Sequence, residues 1–244
     1  MKIAVISDIH GNYEAFSSVL EDIDKMGVGL IVSLGDNIGY GADSQKVVQR
    51  IKSRKILSIL GNHEMAVLEE KVKSWFKKDA ARAVEMAIAG LSCDSLAFIR
   101  SLELSRSLYD CLFVHGFPPD SFRIYLSQVD DGSLLKALRT MNASVCFTGH
   151  THKLGLVYEK NAKIIKETLA FGKKRLERGG RYIVNAGSVG QPRDGACDAK
   201  YILWDLSQYE LEVRAVAYDV KSAVKKIEAA GLPERYARIL EGEM

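Results

Sequence analysis

The chain has 244 residues, 47% hydrophobic and 27% charged, a composition that buries a core without crosslinks and a length that fits one large domain or two small ones. Its formal net charge of +3 is too small and too dispersed to argue for a nucleic-acid partner, and no run approaches the roughly 18 apolar residues that span a bilayer. The four cysteines (Cys93, Cys111, Cys146 and Cys197) form no C-x-x-C pair, and the N-terminal apolar run is broken at Asp8, so a reducing cytoplasm is expected rather than a secreted disulfide framework.

The first 60 residues read as alternating strand and helix. Ile3 to Ile6 is a compact apolar strand. Phe16, Val19, Leu20 and Ile23 recur at helical spacing between Tyr13 and Met26. A second strand is expected over Leu30 to Leu34, a second helix over Ser44 to Arg54, and a third strand over Ile56 to Leu60. This order implies parallel strands joined by crossovers. Residues 64 to 101 read as helical. Leu108 to Val114 and Val145 to Thr148 read as strands, with a helix from Leu134 to Met141 between them. The basic stretch Lys173-Lys174-Arg175 reads as a solvated loop. Five more strands are expected in short succession, over 154–159, 163–168, 182–185, 201–206 and 211–218, with hairpins favoured over crossovers. Two helices close the chain, Val220 to Ala230 and Pro233 to Glu241. One domain with two layered sheets is the simplest arrangement.

Every histidine of the chain lies in a short motif behind an apolar strand-like run. The motifs are Asp8-Ile9-His10-Gly11-Asn12, Gly61-Asn62-His63-Glu64, His115-Gly116 and Gly149-His150-Thr151-His152; Gly35-Asp36-Asn37 follows the second strand in the same way. Strand ends are where open α/β sheets carry their active sites. Residues at i and i+2 of an extended segment point the same way, so Asp8 with His10, and His150 with His152, can each reach one ion. Asp36 has two carboxylate oxygens and can bridge two ions. Mixed carboxylate, imidazole and amide donors suit Mn, Fe, Zn, Co or Ni rather than Ca. Asn12 reads either as a phosphate ligand or as the cap of the first helix. Ser33 reads as packing, and Glu64 as either orienting His63 or, by preference, facing solvent.

The ordered set D-x-H-G-N, G-D, G-N-H-E, V-H-G and G-H-T-H resembles the calcineurin-like metallophosphoesterase superfamily. GDNIGYGADS at 35–44, NAGSVGQPRDG at 185–195 and AGLPERYARIL at 230–240 are similar to its small prokaryotic phosphodiesterase and dinucleoside-tetraphosphatase-like branch. The resemblance implies an α/β fold, a four-layer α/β/β/α sandwich with two mixed sheets. It implies two divalent transition metal ions, Mn²⁺ foremost. The first would be held by Asp8, His10, Asp36 and His152, and the second by Asp36, Asn62, His115 and His150. His63 would be the general acid, and hydroxide between the ions the nucleophile. The sequence departs from common family patterns at Ala42 and Ala186, where proline is frequent, and Tyr40-Gly41 takes the place of an arginine found in protein phosphatases.

The expected activity is therefore phosphodiester hydrolysis of small phosphate esters. Symmetric dinucleoside-tetraphosphate hydrolysis is the alternative with the same centre. A non-catalytic scaffold with this fold is the third reading, disfavoured because the metal-ligand positions are intact. A homo-oligomer is left open. Arg193, in a Gly-rich loop, is a candidate phosphate clamp. Phe117, after His115, is a candidate wall of the site, with packing beneath the 64–101 segment as the other reading.

Overall fold

Alternation along the first strand sets the layers. In the computed structural model, which describes residues 1–243, β1 (Lys2–Ile6) sends Ile3 and Val5 to one face and Ala4 and Ile6 to the other. Ala4 and Ile6 pack with Phe16, Val19 and Ile23 of α1 (Tyr13–Asp24) and Val47 and Ile51 of α2 (Ser44–Ser53). Ile3 and Val5 enter a core shared by two sheets, where Phe113, Phe147, Ile202 and Trp204 meet.

The crossovers place β2 (Leu30–Ser33) and β3 (Leu57–Ser58) parallel beside β1, as expected. The 64–101 segment is a stack of short pieces rather than one helix: α3 (Asn62–Leu68), a 3-10 turn (Glu70–Trp75), α4 (Lys78–Ala89) and α5 (Cys93–Arg100). They bury Met65, Val72, Val84 and Ile99 in their own cluster over the strand ends.

The run expected as one strand from Leu108 is a hairpin, β4 (Ser105–Leu108) and β5 (Cys111–Val114). Tyr109 and Asp110 turn it with φ of 53° and 58°, a left-handed pair usually signalled by Asn-Gly and so not announced by these residues. Next come α6 (Asp131–Thr140), capped by Asp130, and β6 (Val145–Thr148), parallel to β5. Then follow β7 (Leu154–Lys160), β8 (Lys163–Glu167), β9 (Gly172–Arg175), β10 (Tyr182–Ala186), β11 (Ala199–Asp205), β12 (Glu210–Val216), α7 (Val220–Ala229) and α8 (Arg235–Leu240).

Two six-stranded mixed sheets result, ordered β3-β2-β1-β11-β12-β9 and β4-β5-β6-β10-β7-β8. Helix α6 covers the outer face of the second sheet through Leu134 and Leu138, which completes an α/β/β/α sandwich. Among the five strands expected in short succession, hairpins join β7 to β8 and β11 to β12. β10 instead lies parallel to β6, and β9 joins the other sheet beside β12. The lysine-rich stretch is thus an exposed edge strand, not a loop. Its charges oppose edge-to-edge pairing, and Lys173 and Lys174 meet Glu210 and Glu167. No helix among the described residues is long and apolar enough to cross a membrane.

One polar clasp ties α1 to the first sheet. Asp22 receives Nε and Nη2 of Arg214 on β12 at 2.7 and 2.9 Å and the Tyr201 hydroxyl at 2.7 Å. The Arg214 hydrogen bonds hold its carboxyl below the usual range. A carboxyl with a depressed folded pKa adds stability above its unfolded pKa, and that stability is lost as pH falls through the folded value. Asp22→Asn should therefore cost about 1–3 kcal/mol at pH 7. The gap from wild type should narrow as chemical unfolding is repeated below about pH 4. A gap independent of pH would show that the clasp works through shape alone.

Candidate metal centre

The motifs converge because β1, β2, β5 and β6 all end at the same edge of the sandwich. Each chain then has to turn sharply, and it does so through left-handed backbone. Asp8, His10, Asp36, His150 and His152 have φ of 53°, 50°, 52°, 66° and 59°. This conformation costs a non-glycine residue on the order of 1–2 kcal/mol, so the surroundings must enforce it.

Glu64 does much of the enforcing. It does not face solvent: it is fully buried, and its two oxygens accept the backbone N–H groups of Asp36 (2.7 Å), Asn37 (2.8 Å), Ile38 (3.3 Å) and Gly61 (3.0 Å). Burial and the Asp36 charge push its carboxyl up to about 7. It does not orient the His63 ring. Ser33 does more than pack, donating to Asn37 at 2.5 Å. The β1 turn is held from the other side by the loop after β10. Ser188 Oγ and the Gly190 N–H donate to Asp8 O at 2.8 and 3.0 Å, and Asn185 Nδ2 donates to Gly149 O at 2.6 Å. Gly149 is required because a Cβ there would sit 2.6 Å from Asp8 Oδ2.

Four imidazoles present a bare nitrogen to the centre. A carbonyl can only accept, so the ring nitrogen facing one must carry the proton. His10, His115 and His152 use Nδ1 for Ile38 O (3.2 Å), Leu34 O (2.8 Å) and Gln191 O (2.6 Å), and His150 uses Nε2 for Arg123 O (3.1 Å). Their other nitrogens meet lone pair to lone pair: His10 Nε2 lies 3.1 Å from His152 Nε2, and His115 Nε2 lies 3.1 Å from His150 Nδ1 and 3.2 Å from Asn62 Oδ1. Asp8 Oδ1, also buried, has no hydrogen-bond partner among the described residues. Facing acceptors in a dry pocket repel unless a cation lies among them. Donors about 3 Å apart are spaced as neighbouring ligands of one ion at about 2.1 Å. The donor set therefore fits divalent transition metal, with each imidazole's outer N–H fixed by a backbone carbonyl.

Three donor groups lie with ligand atoms within 4.8 Å of one another: Asp8, His10 and His152; His10, Asp36 and His63; Asp36, His115 and His150. Asp36 belongs to two of them. Its Oδ2 lies 3.3 Å from His115 Nε2 and 3.8 Å from His10 Nε2, while Oδ1 accepts the His63 N–H at 2.9 Å. Burial lowers His10 well below its usual range and takes His150 to about 3, which keeps both neutral with lone pairs available. His115 is pulled down by burial but outweighed by the Asp36 charge, and it rises to about 9, so without a cation its Nε2 carries a proton that a bound metal ion would displace. His63 is fully buried, and burial lowers it to about 4. Neither of its ring nitrogens has a partner among the described residues, and its Nε2 is 3.9 Å from Asp36 Oδ2.

Residues 1–208 match the calcineurin-like phosphoesterase superfamily domain. The chain belongs to that superfamily. Over 243 residues it is 35% identical to an uncharacterized protein of Methanocaldococcus jannaschii, covering 95% of this chain and 94% of that one. A metallophosphoesterase from Sphaerobacter thermophilus, known from its crystal structure, aligns with a TM-score of 0.86 at 29% identity over 100% of this chain and 99% of its own. A symmetrical bis(5'-nucleosyl)-tetraphosphatase of Wigglesworthia glossinidia brevipalpis is 40% identical over a shorter stretch, 31% of this chain and 29% of that protein. The protein is thus a metal-dependent phosphoric ester hydrolase of the two-sheet metallophosphoesterase type.

The phosphoesterase's cleft has walls at Tyr40, Phe76 and Tyr236 that the motifs did not announce, beside Tyr125, which the run after His115 did offer. Tyr40 lies tilted against His10 (ring centroids 4.3 Å apart) and stacks on Tyr236 of α8 (4.5 Å), Tyr125 stacks on His150 (3.9 Å), and Phe76 abuts His63 (5.1 Å). In sequence Tyr40 registered only as a missing arginine. Arg193 does line this cleft. Phe117 does not: it lines a separate cavity against α6 with Leu112 and Met141, packing with the core beneath that helix rather than under the 64–101 segment. Phe122 packs with the 64–101 segment. Asn12 is no phosphate ligand here, because both ends of its amide are used. Its Oδ1 caps α1 through Ala15 N (3.1 Å), and its Nδ2 donates to Gly190 O (3.0 Å) and the Tyr218 hydroxyl (3.2 Å).

Glu64→Gln replaces one acceptor oxygen with a donor facing backbone N–H groups. It should destabilise the protein by about 2–4 kcal/mol and lower bound metal measured by mass spectrometry of the dialysed protein. Full metal content with lowered stability would separate the Glu64 clasp from the centre.

Proposed function

We propose that this phosphoesterase is a phosphodiesterase with a dinuclear centre. Asp8, His10, Asp36 and His152 would hold one divalent ion, and Asp36, Asn62, His115 and His150 the other. The observation that carries the reading is Asp36, whose Oδ2 lies within 3.8 Å of bare imidazole nitrogens from both halves of the cluster. Two ions so held supply Lewis acidity and a nucleophile at neutral pH. Mn²⁺ is the metal we favour, because carboxylate, amide and imidazole donors suit it. The rest of the work falls to the chain. Glu64 and the 185–191 loop keep the donors from relaxing, and the aromatic walls exclude water. We further propose that the chain acts as a single domain in the cytoplasm.

His63 is the proposed general acid. It faces the centre with neither nitrogen engaged, so an approaching phosphate can accept its N–H. A phosphate charge beside it favours the protonated imidazole, which can then release a proton to the departing oxygen. Hydrolysis of symmetric dinucleoside polyphosphates remains a second reading, favoured by the local similarity to a symmetrical bis(5'-nucleosyl)-tetraphosphatase.

Chelation should abolish hydrolysis of bis(p-nitrophenyl) phosphate, and Mn²⁺ should restore it. Asp36→Asn should lose bound metal and roughly 100-fold or more in kcat. Near-normal rates with two ions per chain would end the bridging assignment.

His63→Ala should slow esters with poor leaving groups by about 10²–10⁴-fold. It should slow nitrophenyl esters less, since nitrophenolate departs without a proton, and leave metal content intact. Equal losses on both substrates would make His63 a charge stabiliser, and loss of metal would make it a ligand.

A further inference from the structure

Four of the five histidines are oriented by a backbone carbonyl behind the ring. His63 is held differently. Its ring is fully buried, yet neither nitrogen makes a hydrogen bond among the described residues. The χ2 torsion of a histidine is broad and roughly two-fold, so a ring without hydrogen bonds is steered only by what packs against it. For a side chain that must meet a phosphate from a buried position, that packing decides whether its nitrogen points at the right place.

Gly39 closes one edge of the ring. A Cβ at that position would fall 2.1 Å from Nδ1 and 2.7 Å from Cε1, so no side chain has room there. Three rings stand across the imidazole: His10 (centroids 4.6 Å apart, 63° between planes), Tyr40 (4.6 Å, 83°) and Phe76 (5.1 Å, 75°). Edge-to-face contact at such distances is the favoured arrangement of aromatic pairs. His10 and Tyr40 come from the turns after β1 and β2. Phe76 comes from elsewhere. It follows the Glu70–Trp75 turn, and its N–H donates to Lys73 O at 3.2 Å. Val72, wholly buried in the same turn, joins Phe76 in one apolar cluster with Met65 of α3, the helix that bears His63. The turn thus carries a ring back onto His63 and leaves its Nε2 toward Asp36, 3.9 Å from Oδ2.

We propose that Phe76 is a positioning residue for His63. Its ring does by packing what a backbone carbonyl does for each of the other four histidines, and it holds Nε2 toward the reacting phosphate. The 70–76 segment then works on the reaction through His63, besides covering the strand ends. This rests on the role proposed above for His63 and concerns how that side chain is held, not which ester is cleaved.

Phe76→Leu removes the ring and keeps an apolar side chain; Phe76→Tyr keeps the ring. Mn²⁺-loaded protein is assayed on methyl aryl phosphate diesters of rising phenol pKa. Phe76→Leu should lower kcat by about 10- to 100-fold for the poorest leaving group and much less for nitrophenol, with KM and bound metal little changed. Phe76→Tyr should recover most of the loss. On a His63→Ala background Phe76→Leu should cost nothing further, because it acts through that ring. A second readout needs no turnover. In EDTA, the Cε1–H NMR signal of His63, assigned by its loss in His63→Ala, should move in Phe76→Leu as an aromatic ring leaves it, while that of His150, stacked on Tyr125, stays. A leaving-group dependence unlike that of His63→Ala, an added loss on the His63→Ala background, an effect confined to KM, loss of metal, or an unmoved His63 signal each overturns the proposal. If both substitutions slow every ester equally and remain non-additive, the acid role of His63 falls and the positioning role of Phe76 stands.

Discussion

Bare imidazole nitrogens facing one another in a dry pocket are the constraint on which this structure turns. Four rings spend their N–H groups on backbone carbonyls behind them, and what remains toward the centre is a set of lone pairs and two carboxylates. Such a set does not sit still by itself. Its members repel or take up protons, and the upward pull of Asp36 on His115 shows the protein drawing in positive charge where it can. A divalent cation answers the same demand with more charge and fixed geometry, and its binding would displace that proton. The left-handed turns at Asp8, His10, Asp36, His150 and His152 follow from this demand, because only a backbone bent that sharply brings side chains from four strands to one point.

The demand also explains where rigidity is concentrated. Glu64 spends its buried carboxylate on four backbone N–H groups rather than on a cation, and so locks the β2 turn that carries Asp36. Asn185 and Ser188 do the corresponding work for the Gly149 and Asp8 turns. None of these side chains faces the centre with a free donor. They hold the backbone so that the donors cannot retreat, and their loss would be felt as a change in donor spacing.

The sequence carried the centre more legibly than its surroundings, for a physical reason. Asp8-x-His10 and His150-x-His152 are local patterns, and a strand end displays them whatever the rest of the chain does. The parallel β1, β2 and β3 were legible in the same way, from apolar runs separated by an amphipathic helix. What could not be read depends on partners far along the chain. Glu64 looks like any helical glutamate until the Asp36 turn, 28 residues away, folds over it. Asn12 is spent on Gly190 and Tyr218, 178 and 206 residues distant, as well as on its own helix. Phe117 follows a metal-donor motif but is drawn under α6 by Leu112 and Met141. The β4–β5 hairpin turns at Tyr109-Asp110 without glycine or asparagine, and the lysine-rich β9 becomes a strand because β12 offers it an edge.

This contrast separates reaction from selection within one fold. The candidate metal donors come from strand ends, whose strands share the inter-sheet core around Phe113, Phe147 and Trp204. The walls that would choose a substrate come from elsewhere: Tyr40 from the loop after β2, Phe76 from the segment before α4, Tyr236 from α8 and Arg193 from the loop before β11. These pieces pack on one another, with Tyr236 and Tyr40 meeting Ala83 of α4 and Ile227 of α7 in one small cluster. A change in α8 can therefore reshape the cleft without touching a candidate metal donor, and a change at Asp36 alters the donor set without altering these walls. Tyr40 touches both sets, as do Tyr125 against His150 and Phe76 against His63. The Tyr40 ring meets both the imidazole of His10 and the phenol of Tyr236, so it is a contact through which substrate seated against α8 would be aligned with the centre.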